Sequence, residues 1–284
     1  MDSRIVMADH IHELWDTLHM RQYSIFHIPV WSFFSRPLYA EIGTRWRGTC
    51  LGYLFLLLLF CWAITIYRLH IEVCRYIDSE VPAIAAQVPT VTITNGLAHV
   101  TVEQPYVISD PDTDRPILII DTTGATSSLM GSEAMALLTA DELIMRRSET
   151  ETRAFKVSEL EGTSIDSKTV NAWAQTVKRY FALAIYPFSV LVSFLARAME
   201  ALIFAGLGML LSRRLGAGLR FAAALRLAIT ALSPAIMVKT IATALGVFSG
   251  GASILAMIMT LAFLVFGIRA TMAPPPDATF APRQ

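Results

Sequence analysis

Phe181–Leu211 reads FALAIYPFSVLVSFLARAMEALIFAGLGMLL, with Lys178-Arg179 before it and Arg213-Arg214 after it. About 20 apolar residues carry a helix across the hydrocarbon core of a bilayer, so this run crosses one even when tilted. Cut at its charges, it yields halves of 15 residues (Ala182–Ala196) and 11 residues (Ala201–Leu211), each too short to cross alone. One long helix, bent at Pro187, is the reading that fits. The rest of the chain is placed relative to it.

Two ionisable residues interrupt the run. Arg197 and Glu200 stand three apart and share one helix face. Charges at such depth are costly and face protein or a wet cavity. Lys239, in a later apolar run, is the natural partner for Glu200, and small residues near both (Ala201, Ala205, Gly206; Ala242, Ala244) let helices approach closely. The expectation is an intramembrane cluster of Arg197, Glu200 and Lys239. It is either a structural lock between helices or the lining of a path.

The composition agrees with a membrane protein: 54% hydrophobic and 16% charged residues, against about 25% charged in ordinary soluble domains. The net charge of +0 hides an asymmetry. Residues 71–180 hold 16 of the 23 acidic residues and 9 of the 23 basic ones, a net −7 between basic, apolar flanks. That block reads as a separate water-exposed domain.

In chain order, residues 1–49 form a cytoplasmic amphipathic or interfacial segment. Its start has no apolar core of the signal-peptide kind. His12, Asp16 and His19 fall on one helical face, a weak metal pattern better read as a solvated surface. Val30–Gly48 alternates aromatics with arginines (Trp31, Phe33, Phe34, Arg36, Tyr39, Arg45, Trp46, Arg47), the composition of a headgroup-level segment on the cytoplasmic leaflet. No nucleic-acid-binding signature stands behind those arginines. Residues 50–69 are the first transmembrane helix, and the arginines before it place its start inside. Residues 70–180 are then an extracytoplasmic α+β domain and residues 181–211 the second transmembrane helix. Residues 212–226 are a basic cytoplasmic loop, 227–247 and 252–268 the third and fourth transmembrane helices, and 269–284 a Pro-rich, disordered cytoplasmic tail. The fold class is membrane α-helical, with four transmembrane helices and an inserted small α+β extracytoplasmic domain. Both termini are cytoplasmic, and the lipid bilayer is the first partner.

Within the insert, VTIT (91–94) alternates, Asn95-Gly96 is a strong hairpin signal, and LAHVTV returns as the partner strand. PILII (116–120) is a continuous apolar run, as in a buried strand. Ala134–Arg147 and Arg153–Val157 make a further pair, and the sheet is expected to be mostly antiparallel. Ile165–Arg179 is a helix feeding the long apolar run.

Three features there bear on chemistry. Ile119-Ile120-Asp121-Thr122-Thr123-Gly124 approaches the way an aspartic protease presents its carboxylate, but the second Thr puts Gly124 three residues after Asp121 and only one copy exists. Such sites need two carboxylates sharing a proton, so a strand end turning through Gly124 is expected. Asp110, Asp112, Asp114 and Asp121 take places one, three, five and twelve of a calcium loop. Arg115 stands where that loop needs Gly, which makes them weak metal candidates inside a turn. Cys74 is the one cysteine placed outside, with Cys50 and Cys61 in the first helix. No intrachain disulfide is expected, and Cys74 is either shielded or paired between chains. No cofactor is implied.

The lead-in FFSRPLYAEIGTRWRG, the insert with Gln104-Pro105-Tyr106-Val107-Ile108 and the Asp121–Gly124 stretch, and the tail LRLAITALSPA together resemble an uncharacterised bacterial membrane family. That family is known only as a domain of unknown function, and some of its members are labelled maltodextrin-utilisation proteins. The tail is also similar to the Yip1-like group. The resemblance covers roughly Pro29 to Arg269 and implies no activity and no catalytic residue. The label implies at most an accessory role in uptake.

Two function classes follow. The first is a non-enzymatic inner-membrane accessory or adaptor protein whose outer domain docks or senses a partner, in a complex or a homo-oligomer. It is favoured by the lack of a nucleophile–base pair or phosphate loop. The second is an oligomeric transporter or lipid-handling protein using Arg197, Glu200 and Lys239. Four crossings without an inverted repeat are few for a lone carrier.

Overall fold

The computed structural model describes residues 22–148, 151–247 and 252–272. The expectations for His12, Asp16 and His19 and for the Pro-rich tail lie outside the described residues. The helices are α1 (Ile28–Trp31), α2 (Arg36–Thr44), α3 (Leu51–Ser79), α4 (Val81–Gln87), α5 (Ser167–Leu215), α6 (Phe221–Ala244) and α7 (Ala252–Met272). The strands are β1 (Val91–Thr94), β2 (Leu97–Val100), β3 (Tyr106–Ser109), β4 (Pro116–Ile120), β5 (Ala136–Leu138), β6 (Glu142–Arg146), β7 (Thr152–Lys156) and β8 (Ser164–Ile165). The chain divides into two compact units, Arg68–Ala184 and the remainder.

Four helices, α3, α5, α6 and α7, are long and apolar enough to cross a membrane, with mean hydropathy of 1.8 to 2.1 in their best windows. At 49 residues, α5 is one continuous helix through Pro187, about 73 Å at 1.5 Å per residue. Asp166 starts it, accepting from Thr169 N (2.8 Å) and Thr169 Oγ1 (2.7 Å). These bonds hold the Asp166 carboxyl below its usual range. Helix α6 is the enclosed one: 78% of its apolar window is buried, against 22–33% for the other three. It continues through Pro234, and the hydroxyls beside that residue are spent. Tyr53 Oη donates to Ser233 Oγ (2.9 Å), which donates to Ile229 O (3.2 Å).

Two sequence expectations change here. The connection expected over residues 212–226 is shorter: α5 runs to Leu215 and α6 begins at Phe221, which leaves residues 216–220 between them and puts Arg226 inside a helix. The segment around Val30–Gly48 also packs one of its faces against other helices. Helix α2 starts at a Ser35 cap, whose Oγ accepts from Leu38 N (3.3 Å), with Pro37 in its first turn. It buries Leu38, Tyr39 and Ile42 completely in one core with Leu227, Leu264 and Ile268. Glycines permit that approach. A Cβ on Gly43 would stand 2.5 Å from Thr271 Cγ2, and one on Gly267 2.6 Å from Tyr39 Cδ1. Phe34 remains outward at 61% exposure.

In the unit Arg68–Ala184, the alternation of β1 puts Val91 and Ile93 inward and the threonines outward. Asn95 and Gly96 take positive φ (55° and 75°) between paired Thr94 and Leu97, as a two-residue hairpin of the primed type requires. Both turn amides donate to the Glu161 carboxylate (2.8 and 2.6 Å). Strand β8 joins the other side of β1.

The remaining strands form a second sheet, ordered β3-β4-β5-β6-β7. The expectation of one sheet is thus replaced by two, and β4 and β5 are parallel. Ala134–Arg147 divides into β5 and β6 about a turn at residues 139–141. One face of this sheet, with Ile108 and Ile120, packs on Val91, Ile93, Ala98 and Val157. The other face, with Leu137, Ile119 and Ile144, is covered by Leu129 and Ala134 from the crossover that the parallel pair demands. Arg146 pins that crossover by donating to Leu129 O (2.7 Å) and Ser132 O (2.5 Å). In the same unit, Lys178 Nζ bonds both oxygens of Asp78 at 2.7 Å, joining the C-terminal part of α3 to the N-terminal part of α5.

Candidate functional site

Strand β4 ends at Ile120, and Asp121 N still donates to Leu138 O (2.8 Å). The chain then turns through Gly124 at φ +86°. The Asp121 side chain is fully buried, and its carboxylate takes Thr123 Oγ1 (2.6 Å), Thr123 N (3.0 Å) and Thr126 N (2.5 Å). These bonds, the Thr123 hydroxyl foremost, lower its pKa to about 2 against the opposing cost of burial. Thr122 faces the other way: its N and Oγ1 both donate to Gln104 Oε1 (2.5 and 3.0 Å). The two stretches singled out in the sequence therefore meet. Pro105 leads into β3, where Tyr106 pairs with Ile120 and its hydroxyl donates to Gln87 O (2.9 Å).

A groove of about 400 Å³ opens beside this loop, lined by Asp121, Thr123, Thr126, Thr139, Asp141 and Glu142. Thr139 is engaged as well, its one hydroxyl proton shared between Asp141 Oδ1 (3.0 Å) and Glu142 O (2.9 Å). A carboxylate with three donors and a strongly lowered pKa is a poor proton acceptor near neutrality. The Asp-Thr-Thr-Gly loop is a staple that shapes the end of the sheet, as the turn reading anticipated.

The other candidates in this unit are also committed to local geometry. Asp110 closes the β3–β4 turn by accepting from Asp112 N (3.0 Å) and Thr113 Oγ1 (2.7 Å), with Asp114 in the positive-φ position (53°). The Thr113 hydroxyl, above all, holds the Asp110 carboxyl below its usual range. Among the described residues, no three His, Cys, Asp or Glu side chains form a metal-holding group. Cys74 Sγ lies 3.5 Å from His70 Nε2, one helical turn away on α3, and is half-buried.

In the other unit, Arg197 Nη1 and Glu200 Oε2 form a short ion pair within α5, both about a quarter exposed. Lys239 lines the same cavity. Among the described residues no carboxylate lies within 4.0 Å of it. The three residues line one cavity, but the expected bond between Glu200 and Lys239 is not formed, and Glu200 pairs with Arg197 on its own helix.

Sequence reasoning missed Arg226. It is 7% exposed and donates through Nε to Ile42 O (2.9 Å), through Nη2 to Gly43 O (3.2 Å) and through Nη1 to Gly48 O (3.2 Å). Two of these carbonyls belong to the last turn of α2, which has no helical donors for them and carries partial negative charge. The guanidinium is thus the C-terminal cap of one helix, supplied by another. Its i+4 spacing to Thr230, whose Oγ1 donates to Arg226 O (2.9 Å), marks it as helical. Read among the other arginines of SRRLGAGLRFAAALR, it looked like one more loop cation.

Residues 26–268 match the family described as protein of unknown function DUF1189. No curated protein matches the chain, and no solved structure does.

Proposed function

The chain belongs to the DUF1189 family, and from that footing we propose that it is a multi-pass inner-membrane accessory protein of bacteria, whose unit Arg68–Ala184 docks a partner outside the cell membrane. The membrane reading rests on the apolar side chains that α3, α5 and α7 turn outward, among them Phe60 (69%), Leu183 (72%), Ile203 (69%) and Ile254 (65%). Contiguous apolar surface on this scale needs a cover, and lipid tails supply one along a helix. Arginines before α3 and around residues 213–226 put those ends inside, which leaves the acidic insert outside with both termini in the cytoplasm.

The observation that carries docking is β7. It is the last strand of the five-stranded sheet and all five of its residues are exposed. An open edge is a template for one more strand. Phe155 (47% exposed) stands on it across from Leu143 and diagonal to Met145 (46%) of β6, and the edge carries Arg153, 3.9 Å from Glu151, and Lys156, across from Glu142. The complementary partner is an extended segment bearing acidic and apolar side chains.

The test places a photo-crosslinking amino acid at Phe155 and, as a control, at Asp112 in the opposite β3–β4 turn, with irradiation in native membranes. A discrete adduct at 155 and none at 112 is expected, and it should disappear in an Arg153→Glu, Lys156→Glu background. Adducts of equal yield at both positions would remove the case for this edge.

A further inference from the structure

Arg197 stands near the middle of the apolar run Phe181–Leu211, with 16 residues of the run before it and 14 after. An ionisable group at that depth faces protein or a wet cavity. Arg197 lines two cavities, and Lys239 lines both as well. One, about 450 Å³, includes Glu200, the partner of Arg197. The other, about 270 Å³, is lined from α3, α5 and α6, and no carboxylate stands in its wall.

That second wall is rich in donors. Besides the two cations it carries the hydroxyls of Thr65, Ser193, Thr240 and Thr243. Thr65 and Thr240 spend their protons inside their own helices, on Cys61 O (3.0 Å) and Ile236 O (2.9 Å). Among the described residues, the side chains of Ser193, Thr243 and Lys239 have no hydrogen-bond partner, and Arg197 uses only Nη1, for Glu200. Two hydroxyls, an ammonium and the rest of a guanidinium fork are therefore left to donate. The charge is uneven too: Arg197 and Lys239 face one anion, Glu200, and no other carboxylate lies within 4.0 Å of Lys239 among the described residues.

A single negative charge balances this group. We infer that the cavity binds a small organic carboxylate, held by the Lys239 ammonium and the free part of the Arg197 guanidinium, with Ser193 and Thr243 as further donors. Charge-assisted bonds of this kind are the strong ones. Leu58, Trp62 and Ile236 complete the wall and suit an apolar body on the ligand. The volume lies just below the usual range for ligand pockets, about 300–1,000 Å³, so that body is no larger than a phenyl ring or a short alkyl chain. A phosphate monoester carries about −1.5 to −2 near neutrality and leaves the group net negative. All the residues involved belong to one compact unit, and the inference does not rest on the docking edge of β7.

The experiment measures equilibrium binding of radiolabelled benzoate and hexanoate to the full chain in detergent, against protein-free micelles. Benzamide and hexanamide serve as neutral probes of the same shape. Wild type is expected to bind the acids saturably and the amides about tenfold more weakly or worse. Lys239→Gln removes the charge, and Ser193→Leu fills the cavity from α5. Each should weaken acid binding about tenfold while the melting temperature without ligand stays near that of wild type. Ile64→Trp alters a separate, wholly uncharged groove of about 600 Å³ and should leave acid binding unchanged. The comparison of acid with amide is made on wild type and stands even if a variant fails to fold. No saturable binding of either acid, equal binding of acids and amides, or wild-type affinity in both cavity variants would overturn the site. A loss in Ile64→Trp as large as that in Lys239→Gln would overturn it as well.

Discussion

At Asp121, three donors converge on one carboxylate, and a measurable pH dependence follows. Its pKa falls from 3.8 to about 2 on folding. Stabilisation is therefore complete above the unfolded value and is lost as pH drops through the folded one. The side chain is shut from water but sits at the wall of an open groove, so screening holds the gain to about 1–2 kcal/mol. Asp121→Asn should lower the melting temperature of the β-rich unit at pH 7, and the gap from wild type should narrow from about pH 4 to pH 2 and close below that. A gap that is as wide at pH 2 as at pH 7 would assign the loss to packing instead of charge. Arg226 is a second case of one side chain serving several backbone groups. Arg226→Met leaves the carbonyls of Ile42 and Gly43 without their donor and should cost about 2–4 kcal/mol in detergent-solubilised protein. Arg226→Lys should recover less than half of that, because an ammonium cannot reproduce the planar fork. Full rescue by lysine would show that charge alone suffices there.

Among the elements, α2 shows how a short helix depends on its neighbours. At nine residues it is too short to be stable by itself. Its buried face, the Arg226 cap and the contact at Gly267 hold it. Gly267→Ala drives a Cβ to 2.6 Å from the Tyr39 ring, and Tyr39 cannot yield easily because its hydroxyl donates to Ser32 O (2.9 Å) in a buried setting. The substitution should cost about 1–3 kcal/mol. Gly206→Ala in α5, where a Cβ meets nothing within 4 Å, should be neutral or gain up to about 1 kcal/mol. Thermal unfolding of the two variants side by side checks the contrast, and similar shifts in both would remove the close-packing account of α2.

At the scale of the molecule, the arrangement rests on an acidic folded unit inserted between one apolar helix and three more. In the proposed topology, a reporter inserted in the turn at Asn95 reads as external, and one fused after residue 283 reads as internal. Reporters that agree on one side would overturn the assignment of inside and outside, and with it the docking role given to β7. The outer unit would then face the cytoplasm, and the excess of arginine at residues 213–226 would have to lie outside.

Local patterns were legible from the residues alone because each is decided within a few positions of itself. Four apolar runs long enough to cross a bilayer, the alternation of Val91 and Ile93, and the positive-φ turn at Asn95-Gly96 are all of this kind. The hydrogen-bonded Asp121 turn is too. What lay beyond the sequence involves partners far apart in the chain. Arg226 meets carbonyls over 170 positions away, and Gly267 makes room for Tyr39. Gln104 Oε1 takes both donors of Thr122, and β4 chooses a parallel neighbour across a crossover. A helix is built from bonds four residues apart and shows in composition. Which cation caps which helix depends on where the backbone brings unmatched carbonyls, and only the packed chain decides that.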